Sequence, residues 1–112
     1  MSRAYTVLFG ELYNPGAGAH LVYSAPDGFV SVIRDIVVAN EATVPDAFLF
    51  YCLTGEWSPW IWRPVVETLG TAHLELRQVM QPGTELHCAA TVSTWSCRVT
   101  GYQLAGGSLN TG

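Results

Sequence analysis

Two short patterns in the sequence each place an imidazole and a carboxylate two residues apart: His73-x-Glu75 and Glu85-x-His87. Residues two apart in a β-strand point to the same face. Each pair could therefore supply ligands to a metal ion, or could act as an acid and a base. The sequence contains none of the G-x-S-x-G, Walker or G-x-G-x-x-G patterns of common enzyme sites. We predict that the protein is not an enzyme.

Whether the two patterns form one site depends on the turn between them, Pro82-Gly83. If the flanking strands pair as a hairpin with Met80 opposite Glu85, His87 lies several residues away from His73 along the sheet. The histidines then do not converge. We therefore expect both patterns to belong to solvated strand faces, with no metal and no cofactor bound.

The three cysteines do not have the spacing of a metal site. There is no C-x-x-C pair among Cys52, Cys88 and Cys97, whereas a structural zinc site needs four closely paired ligands. Cys88 and Cys97 lie on the two arms of a predicted final hairpin and could be neighbours. We expect buried free thiols in a chain made in a reducing compartment, with a disulfide between these two as the alternative.

The composition disfavours one class of partner and favours another. The chain has 112 residues, of which 49% are hydrophobic and 12% are charged, and its net charge is −4. It has no lysine, and its arginines are isolated, so it lacks the cluster of cations that binding to nucleic-acid phosphates requires. With so few charges, either the core is well filled beneath a Ser/Thr/Gly surface or partner subunits cover apolar surface, and we expect the second.

The first residues do not have the pattern of a secretion signal. Met1 to Ala4 leads directly into a mixed run that contains Tyr5 and Thr6. No apolar run approaches the roughly 20 residues that a transmembrane helix needs. We expect a protein that is made in a cytoplasm and does not bind membranes.

Turn residues recur along the whole chain, and the segments between them alternate apolar and polar residues, as strands with one buried face do. No segment shows a sustained helical period. We predict one domain at residues 1–104, an all-β, antiparallel, jelly-roll-like sandwich of seven or eight strands. A Gly-rich tail at residues 105–112 follows it, which we expect a neighbouring subunit to hold. The predicted strands are residues 4–12, 20–24, 29–39, 47–53, 61–66, 72–80, 85–93 and 95–104.

The strand predicted at residues 29–39 is apolar on both faces. Strict alternation places Ile33 on the face opposite Ile36. Such a strand is either central in a two-layer structure or covered by another subunit. Asp35 interrupts the apolar run beside Arg34, and because adjacent residues point to opposite faces, each must find its partner on a neighbouring strand or subunit.

Three tryptophans fall close together in the segment from Glu56 to Pro64. Trp60 and Trp62 share a strand face, and Trp57 precedes them in a loop. One interpretation is that Trp60 or Trp62 closes the end of the core. A second is an interface anchor, since tryptophan is enriched at binding hot spots, and a third is a platform for a sugar ring. We predict that Trp57, Trp60 and Trp62 contribute to a protein interface.

Three further segments share a recognisable pattern. Residues 26–40 begin with P-D-G and end with R-D-I-V-V-A-N, residues 79–86 contain M-Q-P-G-T-E-L, and residues 99–104 read V-T-G-Y-Q-L. These segments resemble corresponding segments of small β-sandwich proteins of tailed bacteriophages, which are common in phages of actinobacteria. The resemblance spans residues 20–104.

The resemblance implies a virion structural protein, most directly a capsid decoration or minor capsid protein that docks on the shell and stabilises it. A tail, connector or baseplate accessory protein is one alternative, and a carbohydrate-binding module for host adsorption is another. The implied partners are further copies of the chain, as a trimer or other symmetric oligomer, and phage capsid or tail proteins. Neither nucleic acid nor a membrane is among them, and the implied location is the virion.

Overall fold

The computed structural model describes residues 7–53 and 60–105, and these residues form ten β-strands and no helix. The predicted all-β fold is therefore confirmed. In the same part of the chain, no helix is long and apolar enough to cross a membrane. The strands are β1 (Val7–Tyr13), β2 (Gly18–Ser24), β3 (Phe29–Asn40), β4 (Asp46–Ala47), β5 (Leu49–Leu53), β6 (Trp60–Trp62), β7 (Val65–Val66), β8 (Thr71–Met80), β9 (Glu85–Ala90) and β10 (Trp95–Ala105).

The strands pack as two antiparallel four-stranded sheets. The first sheet has the order β1-β10-β3-β8 and the second has the order β2-β9-β5-β6, while β4 and β7 form a small separate pair. The first strand of the chain pairs with the last, and the pairing continues inwards along the sequence. The pairs are β1–β10, β2–β9, β3–β8 and β5–β6. This pairing is that of one long hairpin rolled into two layers, which is the jelly-roll arrangement. The predicted antiparallel β-sandwich is confirmed.

The predicted number of strands, seven or eight, is too low because two predicted strands are each divided. The strand predicted at residues 47–53 falls on β4 and β5, and the strand predicted at residues 61–66 falls on β6 and β7. Phe48 separates β4 from β5 and is fully buried, and Pro64, which has no N–H to donate, separates β6 from β7. The Phe48 N–H donates to the Pro64 carbonyl oxygen at 2.9 Å and joins the two interruptions.

Both hairpins predicted in the second half of the chain are wrong. β8 and β10 belong to the first sheet and β9 belongs to the second, so the chain crosses between layers at both turns. At the first turn, Gly83 has a φ of 88° and the Thr84 N–H donates to the Gln81 carbonyl oxygen at 3.1 Å, as the sequence Pro82-Gly83 favours. The local turn is therefore as expected, but it joins two sheets instead of reversing within one.

The core lies between the two sheets, and Trp95 is its largest fully buried side chain. The Trp95 side chain is fully buried, its ring centroid lies 5.4 Å from that of Phe48, and its Nε1 donates to the Gly16 carbonyl oxygen at 2.9 Å. Among the described residues, every buried side-chain nitrogen and oxygen has a hydrogen-bond partner. The other large side chains that are fully buried include Phe50, Ile33, Ile36, Met80, Leu86, Val38 and Val99.

Candidate functional site

The outer face of the first sheet is mixed. Its side chains lie in rows that run across the strands. In the middle row, Arg98 Nε donates to Glu11 Oε2 at 3.1 Å. Two apolar side chains of β1 on this face, Leu8 and Tyr13, are exposed. The rows are Glu11–Arg98–Val37–His73, Tyr13–Ser96–Ala39–Thr71 and Leu8–Thr100–Asp35–Glu75.

Asp35, His73 and Glu75 form the one cluster of three metal-ligating side chains in the part of the chain that the structure describes. His73 Nε2 lies 2.8 Å from Asp35 Oδ1, and one ligand atom from each residue lies within 4.8 Å of the others. Asp35 is half-buried, whereas His73 and Glu75 are exposed. The cluster has the chemistry of a ligand set for a divalent cation.

A β-bulge brings Asp35 into this cluster. The register of β3 shifts between Ile33 and Asp35 against both neighbouring strands, and Arg34 lies at the irregularity. Ile33 and Ile36 therefore both pack in the core. The prediction that they lie on opposite faces is wrong, because strict alternation fails at a bulge. Asp35 contacts His73 on the neighbouring strand β8. This agrees with the expectation that its partner lies on a neighbouring strand or subunit.

The second imidazole–carboxylate pair lies on the other side of the molecule. His87 Nε2 is 3.0 Å from Glu85 Oε1, and both residues are on β9 in the second sheet. His73 belongs to the first sheet. The two histidines do not converge, as predicted, but they are separated because their strands lie in different sheets and not because of hairpin register.

The outer face of the second sheet is apolar. At its centre the Tyr51 and His87 rings stack with centroids 5.4 Å apart, and Leu21, which pairs with His87, is 47% exposed. Arg63 and Glu85 supply charge at opposite ends of this surface. We call it the apolar face; it consists of Ala19, Leu21, Leu49, Tyr51, Leu53, His87 and Ala89.

A shallow depression of about 440 Å³ lies at one end of the apolar face. One glycine and four alanines make up most of its lining, so the backbone of the second sheet is open to close approach. An exposed apolar surface of this kind is typical of a protein–protein contact. The depression is lined by Gly18, Ala19, Ala47, Leu49, Arg63, Ala89, Ala90 and Thr91.

Two of the three tryptophans of the predicted interface lie on β6, and Trp57 lies outside the described residues. Trp60 begins β6, where its backbone pairs with Tyr51. Trp62 packs against the core, with its ring stacked 5.5 Å from Phe50. Of the interpretations left open, core packing applies to Trp62. An interface role for Trp57, Trp60 and Trp62 stays a prediction.

All three cysteines are buried and free in the structure. Cys88 on β9 and Cys97 on β10 face each other between the two sheets. The hydrogen bond with the Cys97 side chain and burial both raise the pKa of the Cys88 thiol, and burial raises the pKa of the Cys52 thiol. The hydrogen bond with Cys88 lowers the pKa of the Cys97 thiol. All three thiols are nevertheless buried, and burial keeps reagents away from them.

We therefore expect the native protein to resist thiol reagents at pH 8. The reaction with Ellman's reagent should be at least about a hundredfold slower than in denaturing urea, because each thiol must wait for an opening of the sandwich. Unfolded protein should titrate three thiols, the number of cysteines in the sequence. A titre of one thiol per unfolded chain would instead indicate a disulfide. A fast reaction of the native protein would contradict the burial of the thiols.

Comparisons with known proteins support the fold. No protein-family model matches the sequence, and no curated protein matches it. Among solved structures, the chain is similar to a chain from infectious bursal disease virus, Gx strain, with a TM-score of 0.54 and 12% identity over 95% of this chain and 32% of that one. The Gt strain gives a TM-score of 0.52 and 15% identity over 96% and 32%. The chain spans about a third of the length of these viral chains, and at such identities it shares their fold alone.

Proposed function

We propose that this protein is a structural component of a virus particle and has no enzymatic activity. The observation that carries the proposal is the jelly-roll fold, which is similar to part of a chain in two virus structures. The same fold occurs in lectins and other proteins, so a second observation is needed as well. The apolar face supports a role in assembly, because an exposed apolar surface on a chain with few charges is typical of a contact with a partner.

The finer proposal is a capsid decoration or minor capsid protein of a tailed bacteriophage, located in the virion after synthesis in the host cytoplasm. It rests on the sequence resemblance over residues 20–104. A tail, connector or baseplate accessory protein would have the same fold but another location in the virion. A carbohydrate-binding module is less well supported, because Trp62, one of the three residues proposed for sugar stacking, packs against the core.

The occupant that we propose for the apolar face is a neighbouring copy of the chain. The charged side chains at the two ends of the apolar face, Arg63 and Glu85, are of opposite sign, so two such faces can meet without net repulsion. Leu21, Leu49 and Tyr51 supply the apolar area that a stable contact needs. Trp57 and Trp60 remain proposed anchors for the contact with shell or tail proteins, and a trimer remains the proposed symmetry.

Replacing Leu21 with aspartate should sharply reduce incorporation into particles. The substitution places a charge on the apolar face beside His87, where it would have to be desolvated in a contact. Leu8→Asp is the matched control, because Leu8 is 53% exposed but belongs to β1 in the first sheet. The measurement is quantitative mass spectrometry of purified particles from cells that supply each variant.

We expect wild-type and L8D protein in particles at equal copy number and at least about tenfold less of L21D. A copy number in the hundreds supports capsid decoration or a tail tube, and a copy number of three to twelve supports a connector, tip or spike. Absence of the wild-type chain from particles would overturn the proposed function. Equal incorporation of L21D and L8D would overturn only the role of the apolar face.

A further inference from the structure

We propose that Asp35, His73 and Glu75 form a binding site for a first-row divalent transition-metal ion. The site lies on the outer face of the first sheet, on the other side of the sandwich from the apolar face. It is independent of the proposed function, since a metal could bind here whether or not the chain belongs to a virion. The inference rests on ligand type, backbone placement and local charge.

The backbone fixes where the three side chains begin. Asp35 on β3 and Glu75 on β8 are direct partners across the antiparallel pair. His73 lies two residues before Glu75 on the same strand and therefore points to the same face. β3 lies inside the four-stranded sheet and β8 is its edge strand, and a hydrogen-bonded pair of strands holds these positions more rigidly than a loop would.

The distances between the ligand atoms are those that binding to one shared ion requires. Bonds of about 2.0–2.2 Å from an ion to nitrogen and oxygen place adjacent ligand atoms roughly 3 Å apart. His73 Nε2 and Asp35 Oδ1 are already 2.8 Å apart. Glu75 Oε lies within 4.8 Å of both and, as an exposed side chain with rotatable bonds, can close the remaining distance.

The local charge favours a cation. Two carboxylates lie close together on this face, and like charges at such a separation repel. Two arginines lie near the cluster, Arg34 beside Asp35 and Arg77 two residues after Glu75. Among the described residues, neither arginine forms an ion pair with these carboxylates. In the described part of the chain, the ion pair of Asp35 is with His73, Glu75 forms none, and Arg98 is paired with Glu11. A divalent ion would balance the two negative charges and leave the imidazole neutral, which is the form that binds metals.

The ligand set indicates the class of ion. Imidazole nitrogen suits Zn²⁺, Ni²⁺ and Cu²⁺, and carboxylates add the harder Mn²⁺, whereas Ca²⁺ sites use oxygen ligands. Three protein ligands on an exposed face leave coordination positions for water. We therefore use Zn²⁺ as the probe and Ca²⁺ as the discriminating ion.

The molecule contains a matched control for this site. His87 and Glu85 form an imidazole–carboxylate pair at 3.0 Å on the opposite sheet, but no third ligand joins them among the described residues. If a single histidine–carboxylate pair were enough, both sites would bind. If three convergent ligands are needed, removal of His73 matters and removal of His87 does not.

The test is isothermal titration of metal-free protein with ZnCl₂, comparing wild type with the variants His73→Gln, Glu75→Gln and His87→Gln. We expect wild type to bind one ion, H73Q and E75Q to bind it at least about tenfold more weakly, and H87Q to match wild type within about twofold. His73 and Glu75 are exposed, so both variants should fold, and metal-free thermal melts check this. CaCl₂ should bind more weakly than ZnCl₂ to the wild-type protein.

A parallel titration with Co²⁺ separates this site from the thiols. Binding to nitrogen and oxygen ligands gives weak visible bands, whereas thiolate ligation by the cysteines gives an intense near-ultraviolet charge-transfer band. Absence of that band, with loss of the visible bands in H73Q, supports the proposal. Thiolate bands, equal Zn²⁺ affinity in H73Q and wild type, or no binding by the wild-type protein would each overturn it.

Discussion

Gly101→Ala should destabilise the protein by about 3 kcal/mol or more, although it adds a single methyl group. A Cβ at this position would lie 1.9 Å from the Val32 carbonyl oxygen and 2.8 Å from Phe9 Cε2. The closer atom belongs to the backbone of β3 and cannot rotate away as a side chain could. Relief of the clash must therefore separate β10 from β3, which are neighbours at the centre of the first sheet.

The control for Gly101→Ala is Gly83→Ala. A Cβ at Gly83 would meet no atom within 4 Å, but the φ of 88° is a conformation that alanine adopts reluctantly. Its expected cost is about 1 kcal/mol, from backbone strain alone. Urea unfolding followed by tryptophan fluorescence measures both values. Equal stability of the two variants would contradict the close approach of β10 to β3 on which this prediction depends.

Gly101 also illustrates what sequence patterns can and cannot predict. The Gly101-Tyr102 ending contributed to the resemblance to phage proteins, but the requirement for glycine comes from Val32, which is far away in sequence. Strand positions were predicted closely because alternation and turn residues are local signals. Sheet membership was not, because the Pro82-Gly83 turn looks the same whether the chain reverses within a sheet or crosses to the other layer.

The candidate metal site could be predicted only in part for the same reason. His73-x-Glu75 was visible as a pair on one strand face. The third ligand, Asp35, is joined to them by the pairing of β3 with β8 and by an irregularity at Arg34, neither of which has a local signal. The adjacent charged residues Arg34 and Asp35 in an otherwise apolar strand were the available signal. They showed that each side chain needed a partner, without showing which residue that partner was.

Asp46 is a buried carboxylate at the start of β4. Its Oδ1 accepts from Thr91 Oγ1 at 2.6 Å, and its Oδ2 accepts from the backbone N–H groups of Thr91 and Val92 at 2.8 and 3.3 Å. These bonds hold the turn that carries the chain from β9 in the second sheet to β10 in the first. Asp46 therefore stabilises one of the crossings between layers that define the jelly roll.

Asp46→Ala should cost about 3 kcal/mol in the free energy of unfolding, because it leaves two backbone N–H groups without their acceptor. Asp46→Asn should cost about 1 kcal/mol, since the amide oxygen can still accept from both backbone N–H groups and the amide nitrogen can donate to Thr91 Oγ1 once that hydroxyl rotates, so the main loss is the charge. Urea unfolding at pH 7 measures both variants. A cost for D46N as large as that for D46A would mean that charge, and not bond number, dominates at this position.

The pH dependence of Asp46 separates these contributions. Burial alone would raise the pKa of this carboxyl, but the hydrogen bonds from Thr91, Val92 and Ala47 outweigh burial and hold the pKa below its ordinary value of 3.8. Because the folded protein then binds this proton less readily than the unfolded chain, the stabilisation is complete above that value and is lost as the pH falls through the lower folded pKa. The stability difference between wild type and D46N should therefore be constant from pH 7 to about pH 5 and shrink below about pH 4. An equal difference at pH 3 and pH 7 would show that the charge of Asp46 does not stabilise the crossing.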